Sequence, residues 1–429
     1  GTIAHPLNRP RFDSRVGRVV EGYALLQPRV TPTLPTGRQG SLFQRISSGP
    51  AGVDPYASAV SDVYQDLFGE GSYIGKGIYD IDAFEAALEG RVPENALLSH
   101  DLFEGIFARA GLVTDIEFFE EFPSHYEVAK LRQHRWARGD WQLLPWLIGR
   151  APDKSGAPIR SSIPLIGRWK MLDNLRRALF APAAIATLVA GWTLPFASPL
   201  TWTAFIVGCI AIPPLLYMLI AAIPRRRGIS KRSFVRAVGT DLALGAAHVG
   251  VTLAFLADQA WLMSDAIVRT LARVYVTRRN LLEWVTAAQA KYDFDLSLGA
   301  CYRRMNRSVA LSAAVGILVA LQPPDVWPIA APFVLLWALS PLVAYWISLP
   351  RRQTAAPLSE DEARMLRLIA RRTWRFFETF VGAEDHALPP DNFQEQPAAV
   401  VAHRTSPTNL GLYLLSTVAA HDFGWIGTV

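Results

Sequence analysis

A long run without ionisable side chains is the feature that most constrains this chain. No Asp, Glu, Lys, Arg or His occurs between Arg177 and Arg225. About 20 apolar residues span a bilayer, whereas buried helices of soluble proteins usually carry shorter apolar runs, so this run is long enough for two membrane passages. Pro195, Ser198 and Pro199 interrupt it near its middle, where a turn between two helices is expected. The two predicted spans are 178–197 and 200–223.

A second apolar run lies between Ser308 and Pro350. Its one charged residue, Asp325, lies in the turn-forming sequence Gln-Pro-Pro-Asp. This pattern again predicts two helices joined by a tight turn. The two predicted spans here are 308–322 and 327–349.

Basic residues flank both predicted hairpins. The positive-inside rule places such flanks, and the polar segments joined to them, in the cytoplasm. The same arginines account for much of the excess of 43 basic over 37 acidic residues. Because no basic patch interleaved with aromatic residues occurs, the sequence does not predict a nucleic-acid partner. The flanking residues are Arg176, Arg177, Arg225, Arg226, Arg227, Lys231, Arg232, Arg303, Arg304, Arg307, Arg351 and Arg352.

The stretch 242–264 is apolar but contains His248 and Asp258, and basic residues lie on both of its sides. A single crossing would place one basic flank outside the cell, so a re-entrant or interfacial helix is favoured over a true span. An ionisable residue at membrane depth is a candidate functional residue, and Asp258 is a candidate to line a polysaccharide or ion path. The alternative is an interfacial residue, solvated near a helix end.

Composition excludes several classes of protein. Hydrophobic residues make up 51% of the 429 residues and charged residues 19%, so one compact soluble domain is not expected. The two cysteines, Cys209 and Cys301, form neither a metal-binding spacing nor a disulfide framework. The chain shows no initiator Met or signal peptide, which leads us to expect an internal piece of a longer protein.

Four glycines lie among aromatic and charged residues in the run GEGSYIGKGIYDIDAF, from Gly69 to Phe84. The spacing does not match a nucleotide-binding P-loop. Such a loop suits a sugar, whose ring stacks on aromatic faces and whose hydroxyl groups bond to carboxylates. An ordinary surface loop is the alternative. The polar and aromatic residues of the run are Tyr73, Lys76, Tyr79, Asp80 and Asp82.

A candidate general base follows this run. Ser99 can cap a helix whose first turn carries Asp101, and Glu104 lies on the same face. The helix dipole and free backbone N–H groups hold a carboxylate ionised at such a position. This arrangement suits a general base and equally suits a capping residue.

The sequence LRQHRWARGDWQ, residues 131–142, is a candidate anion-binding segment. On a helix, Arg132, Arg135 and Trp136 share one face. Arginines offer paired donors to a diphosphate, and a Trp ring offers a stacking surface for a sugar. The alternative is an aromatic belt at a membrane interface.

These segments resemble the glycosyltransferase domain of cyclic β-1,2-glucan synthases, large inner-membrane enzymes that polymerise glucose from UDP-glucose. The segment DAIVRTLARVYVTRRNLLEWVTAAQA resembles the cytosolic connection of that family, and the tail resembles the start of its glycoamylase-like domain. The resemblance therefore covers essentially the whole chain. The remaining matching strings are RQHRWARGDWQ, ALLSHDLFEG, VPENALL, GEGSYIGKGIYD, TWRFFETFVGAEDHALPPDNFQEQP and AHRTSPTNLGLYLLS.

The resemblance implies three regions and a location. It implies the C-terminal part of an α/β, GT-A-like transferase domain in 1–172 and a membrane domain in 173–352, with a cytosolic connection over 265–307. It implies the start of an α-helical, α/α-barrel-like domain in 359–429. The soluble parts would lie in the cytosol, on the inner membrane of a bacterium.

The resemblance also implies roles for single residues. Processive inverting transferases of the cellulose-synthase type use an Asp to deprotonate the acceptor hydroxyl, and Asp101 takes the matching place. Their Gln-x-x-Arg-Trp motif contacts the donor diphosphate and the acceptor sugar. Here Gln133 stands one residue closer to Arg135 and Trp136 than in that motif. Further implied donor-binding or acceptor-binding residues are Tyr73, Lys76 and Tyr79.

The implied cofactor is Mg²⁺ or Mn²⁺, with its ligands expected upstream of this chain, which alone is expected to be inactive. The implied partners are UDP-glucose, the growing β-1,2-glucan and the lipid bilayer. In the tail, Arg404, Ser406 and Asn409 are candidates for sugar binding, and a helix cap is the alternative for Ser406. Two other functions stay open: a glycoside phosphorylase or hydrolase, and a component of a polysaccharide transporter.

Overall fold

The computed structural model divides by its contacts into two compact units, Gly1–Arg352 and Gln353–Val429. The predicted boundary at 172/173 falls inside one helix of the first unit, Leu165–Thr193, and the further division of that unit stays a prediction. The described residues are 2–33, 40–48, 62–98, 100–152, 155, 158–160, 162–221, 231–284, 295–350 and 358–427.

A three-stranded mixed sheet lies in the first unit, with strand β3 (Leu25–Thr33) at its centre. Strand β4 (Ile78–Tyr79) pairs with β3 antiparallel, and β5 (Ala110–Glu121) pairs with it parallel. Parallel neighbours need a crossover connection, which here contains the Gly-rich run, strand β4 and four described α-helices. The remaining described strands form two-stranded sheets: β1 (Arg11–Asp13) with β2 (Arg18–Glu21), β6 (Arg150–Pro152) with β7 (Pro158–Arg160), and β8 (Phe393–Gln394) with β9 (Val400–Val401).

Helices form most of the described structure. The predicted α/β character is therefore limited to the small mixed sheet, and a GT-A arrangement stays a prediction. In the first unit the helices are α1 (Leu42–Ser47), α2 (Val63–Phe68), α3 (Ile81–Leu88), α4 (Asp101–Phe107), α5 (Tyr126–Gln142), α6 (Leu144–Leu147), α7 (Leu165–Thr193), α8 (Pro199–Ala221), α9 (Lys231–Ala254), α10 (Leu256–Ala272), α11 (Leu298–Arg304), α12 (Asn306–Ala320), α13 (Trp327–Ala338) and α14 (Ser340–Ser348).

The core beneath the sheet fixes the position of helix α4. Phe103, Ile106 and Phe107 recur at helical spacing and are at most 3% exposed. The Phe103 ring lies 5.6 Å from that of Trp146, in an edge-to-face arrangement. Because this apolar face is buried, the opposite edge of α4 points away from the core, and Asp101 on that edge is partly buried.

Two described helices are long and apolar enough to cross a membrane, over Pro199–Leu216 and Arg232–Ala254. The pair α13 and α14, bent by 51°, counts as a third if it forms one broken span. The predicted span 200–223 thus falls on α8, whereas 178–197 lies largely in α7, which does not meet the same length and composition criteria. Helix α12 is apolar but shorter than a span.

The predicted single helix over 242–264 is wrong in its bounds. Helix α9 continues from Lys231 to Ala254, and α10 starts at Leu256 after a break at Phe255. The first residues of α10 are apolar because they pack inside the protein: Leu256 and Ala257 are at most 2% exposed. Apolar composition alone does not distinguish a helix buried in protein from one buried in lipid. The sequence therefore predicted one helix where the structure has the end of α9 and the start of α10.

The second unit contains two α-helices, a short 3₁₀ helix (Ala383–Asp385) and a short hairpin among its described residues. Helix α15 (Glu360–Phe380) starts with a capping box between Ser359 and Glu362. Helix α16 (Pro407–Asp422) packs against it through Trp374, whose ring stacks with that of Tyr413 at 6.4 Å. This agrees with a helical unit, and an α/α barrel stays a prediction.

Candidate active site

The candidate base Asp101 is the first residue of α4 and is partly buried. Gly75 lies against its carboxylate, with a φ of +82°. A Cβ atom at Gly75 would lie 2.9 Å from Asp101 Oδ2, so both the backbone angle and the close approach require glycine there. The predicted cap, Ser99, lies outside the described residues.

The groups around Asp101 have opposing effects on the pKa of its carboxyl. Burial, and next the charge of Glu104, raise the pKa of the Asp101 carboxyl, while His100, Arg135 and Lys76 act to lower it. His100 Nδ1 lies 2.5 Å from Glu104 Oε1, and this hydrogen bond raises the pKa of His100. The net effect is a carboxyl group that is more basic than an exposed aspartate, which suits proton abstraction.

The Gly-rich run is tied down at its start. Lys170 Nζ donates to the carbonyl oxygens of Glu70 and Gly71, at 3.2 and 2.7 Å. Arg109 donates to the carbonyl oxygen of Gly69 at 3.1 Å. Because a long side chain of α7 and one from the turn between α4 and β5 bind consecutive carbonyls, the run is an anchored part of the fold. Its other anchors are the Arg18–Glu70 ion pair, the Ser72 N–H bond to Asp62 and the Ile74 N–H bond to Gln27.

Glu120 on β5 joins the Gly-rich run to helix α5. It forms an ion pair with Lys76 and accepts a hydrogen bond from Arg132 at 3.2 Å. Burial acts to raise the pKa of Glu120, but Lys76 and Arg132 together lower it below its ordinary value. Sequence reasoning missed Glu120, because nothing in a strand sequence indicates which side chains will face it.

The two candidate residues on α5 sit beside aromatic rings. The guanidinium of Arg132 lies 4.5 Å from the ring centre of Trp136, which is 40% exposed. That of Arg135 lies 4.6 Å from the ring centre of Trp284, a residue that the sequence reasoning did not single out. Gln133 is exposed on the same helix.

Tyr73 lies next to the carboxyl groups of α4. Burial, followed by the charges of Glu104 and Asp101, raises the pKa of Tyr73 to about 12. Its hydroxyl therefore stays protonated and can donate a hydrogen bond. Tyr79 is 50% exposed and packs on Phe84, with 4.9 Å between the ring centres. The structure thus brings Tyr73, Lys76, Asp101 and Arg135 into one neighbourhood.

His100, Asp101 and Glu104 hold three possible ligand atoms within 4.8 Å of one another. They fit Mg²⁺ poorly, because Mg²⁺ prefers oxygen ligands and the His100 and Glu104 atoms already bond to each other. No other group of this kind occurs in the part of the chain that the structure describes. We therefore assign no metal role to these residues.

The candidates of the second unit surround one carboxylate. Arg404 Nε and Asn409 Nδ2 each donate to Asp391 at 3.0 Å, and these bonds lower the pKa of Asp391. Ser406 caps α16 by accepting a hydrogen bond from the Asn409 N–H at 3.2 Å. The helix-cap alternative for Ser406 is therefore present, and sugar binding by these residues stays a prediction.

Asp258 is 5% exposed and bonded to side chains of α5, so the alternative of a solvated interfacial residue is wrong. Its burial has no local sequence signal, because the partners come from a helix more than 100 residues earlier in the chain.

No protein-family profile matches the chain. All 429 residues align, at 48% identity, with the cyclic β-(1,2)-glucan synthase NdvB of Rhizobium meliloti strain 1021. The chain spans 15% of the length of that protein. Along its whole length the chain is therefore homologous to a segment of a cyclic β-(1,2)-glucan synthase, which confirms the family resemblance seen in its motifs.

Proposed function

We propose that this chain is part of a membrane-bound, inverting glycosyltransferase that polymerises glucose from UDP-glucose into β-1,2-glucan. The observation that carries the proposal is the partly buried carboxyl of Asp101, with raised pKa, among Lys76, Arg135 and Tyr73. The homology to a glucan synthase supports it. A transporter would not need this arrangement, and a glycoside phosphorylase or hydrolase is not favoured by the match.

The proposed reaction is an in-line displacement at the anomeric carbon of UDP-glucose. Asp101 takes the proton of the acceptor 2-hydroxyl as its oxygen attacks that carbon. The bond between the carbon and the diphosphate oxygen breaks, its electron pair leaves with UDP, and the new linkage is β. Arg135 and Lys76 offset the charge that develops on the leaving diphosphate.

The other candidates would bind sugar. Trp136 stacks the terminal glucose of the acceptor on its exposed ring face, and Gln133 bonds to donor or acceptor. Tyr73 donates a hydrogen bond from a hydroxyl that stays protonated at neutral pH. Tyr79, half exposed beside it, lines the path of the glucan. A divalent cation, Mg²⁺ or Mn²⁺, belongs to this proposal only as a requirement of donor binding, and no step is assigned to it.

We further propose that the soluble segments face the cytosol and that the bilayer is the inner membrane of a bacterium. The basic flanks of the apolar helices support this orientation. In that arrangement the cytosolic donor reaches Asp101 directly.

The test uses membranes that contain the full-length protein, incubated with UDP-glucose carrying radiolabelled glucose. We expect incorporation into a 2-linked glucan, identified by methylation analysis. Arg135→Met should lower kcat by about 10²–10³-fold, the usual loss when one charge-stabilising donor is removed. Arg15→Met, an exposed arginine far along the chain from the site, is the control. Absence of incorporation, or a product with another linkage, contradicts the proposal.

A further inference from the structure

Helix α5 presents two different polar faces. Residues four apart in sequence lie close to one line along a helix, whereas residues two apart lie on nearly opposite sides of it. The first face carries Tyr126, Lys130, His134 and Arg138. The opposite face carries the candidate site residues Arg132, Arg135 and Trp136.

The first face meets acidic residues of α10. Asp258 Oδ2 accepts hydrogen bonds from Tyr126 Oη at 2.8 Å and from Lys130 Nζ at 3.4 Å. Two turns further along α10, Asp265 Oδ2 lies 2.9 Å from His134 Nε2. Each link joins a donor on α5 to a carboxylate on α10, and we name this set of contacts the polar seam.

The deep end of the polar seam is shut off from water. Tyr126, Lys130 and Asp258 are 4 to 6% exposed. Glu127, also buried, lies 3.1 Å from Lys130 Nζ. The Tyr126 ring stacks on Phe255 at 3.7 Å, at the break where α10 begins.

Buried ion pairs add little net stability, because desolvation offsets their attraction. They do penalise every arrangement in which a charge loses its partner, and so they select one helix register. Rotation of α5 by one residue would move Lys130 and Tyr126 away from Asp258. The polar seam therefore specifies the rotation of α5 about its axis.

That rotation decides where the opposite face points. Arg135 already contacts Trp284 on one side and acts on the Asp101 carboxyl on the other. A turn of the helix would shift its guanidinium relative to both. The rate of an enzyme reaction is sensitive to such shifts, because a misplacement of a catalytic group by about 1 Å can lower the rate about 10²-fold.

We propose that Asp258 is a positioning residue for the transferase reaction, acting through Tyr126 and Lys130 to set the rotation of α5 and so the placement of Arg135 and Trp136. The inference rests on the proposed function. It also assigns a role to an acidic residue at the junction of α10 with a membrane-length helix.

The test compares Asp258→Leu, which removes the acceptor, with Asp258→Asn, which keeps an acceptor oxygen for Tyr126. Full-length protein in membranes is assayed with UDP-glucose, and rates are normalised to folded protein. Asp258→Leu should lower kcat by about tenfold or more, with a smaller change in KM, and Asp258→Asn should recover part of the loss. The acid limb of the pH profile should move to higher pH, because a displaced Arg135 lowers the pKa of the Asp101 carboxyl less than it does in the wild type. Asp361→Leu, an exposed residue of the second unit, is the control.

A wild-type kcat in folded Asp258→Leu overturns the positioning role. If that variant does not fold, Tyr126→Phe removes only the hydroxyl and should lower kcat about threefold or more by the same argument, whereas unchanged kcat overturns the role. The two proposals fail differently. Full activity in Asp101→Asn contradicts the proposed function itself, whereas an inactive Asp101→Asn beside a fully active Asp258→Leu contradicts the positioning role alone.

Discussion

At the scale of single residues, the Asp101 carboxyl is kept in an environment that opposes its charge. Burial and Glu104 raise its pKa, so between the ordinary aspartate value of 3.8 and the raised value the folded state binds a proton that the unfolded state has lost. The free energy of unfolding therefore falls as pH rises through that window, and the loss persists above it.

Asp101→Asn should consequently raise the melting temperature at neutral pH, while having little effect at a pH below 3.8. The physical reason is that the variant removes a charge whose desolvation is incompletely offset. Thermal unfolding of the full-length protein at the two pH values measures this. A lower melting temperature of Asp101→Asn at neutral pH would show that the carboxylate is a net stabilising group.

Glu104→Gln should move the acid limb of the activity profile to lower pH. Glu104 contributes to the raised pKa of Asp101, so its removal lets the base ionise at lower pH. The rate of glucose incorporation from UDP-glucose, measured across the acid range, reports the shift. Glu94→Gln, an exposed glutamate, serves as the control. An acid limb that stays in place would show that another group titrates there.

The residues that sequence reasoning identified are those with a local signal. Asp101 starts a helix, and Arg135 and Trp136 share a helix face, so spacing made them candidates and the family resemblance implied their roles. Glu120, Trp284 and Lys170 have no such signal, because each acts through a partner far away in the sequence. Long-range pairing of this kind follows from the fold and not from a motif.

At the scale of elements, Lys170 links helix α7 to the Gly-rich run. It is 7% exposed, and burial lowers its pKa to about 8. Asp62 and Glu70 nearby act to raise it, and Arg18 acts to lower it. Deprotonation leaves two N–H donors, enough for the two carbonyls that it binds.

Between about pH 8 and the ordinary lysine value of 10.5, the unfolded chain holds a proton that folded Lys170 has lost. The contribution of Lys170 to the free energy of unfolding therefore increases with pH across that window. Lys170→Met should lack this increase, which thermal unfolding of both proteins across the window measures. Identical pH dependence in the two proteins would contradict the lowered pKa.

The elements themselves were partly predictable. Charge-free runs located α8 and the bent pair α13 and α14, because a bilayer and a protein core both select apolar side chains. Because apolar composition does not separate the two environments, the sequence predicted one helix over 242–264. The structure has two helices there, divided at Phe255. Phe255, at this break, stacks on Tyr126 of α5, and such a long-range contact has no local sequence signal.

At the scale of the whole molecule, the positive-inside rule predicts a topology that labelling can test. In a background without Cys209 and Cys301, a cysteine is placed either at Asp325, between α12 and α13, or at Thr286, in the predicted cytosolic connection. A membrane-impermeant thiol reagent added outside intact cells should label Asp325→Cys and spare Thr286→Cys. Labelling of Thr286→Cys from outside contradicts the orientation.

The central claim is that Asp101 is the base of a glucosyltransferase, and one comparison tests it most directly. Membranes with full-length wild type, Asp101→Asn or Asp361→Asn are assayed for glucose incorporation from UDP-glucose. Asp361 is an exposed aspartate in the first turn of α15 and provides the matched control. We predict that Asp101→Asn loses at least about 10²-fold in kcat, the usual contribution of a general base, and that Asp361→Asn keeps wild-type activity. Incorporation by folded Asp101→Asn at the wild-type rate would contradict the account.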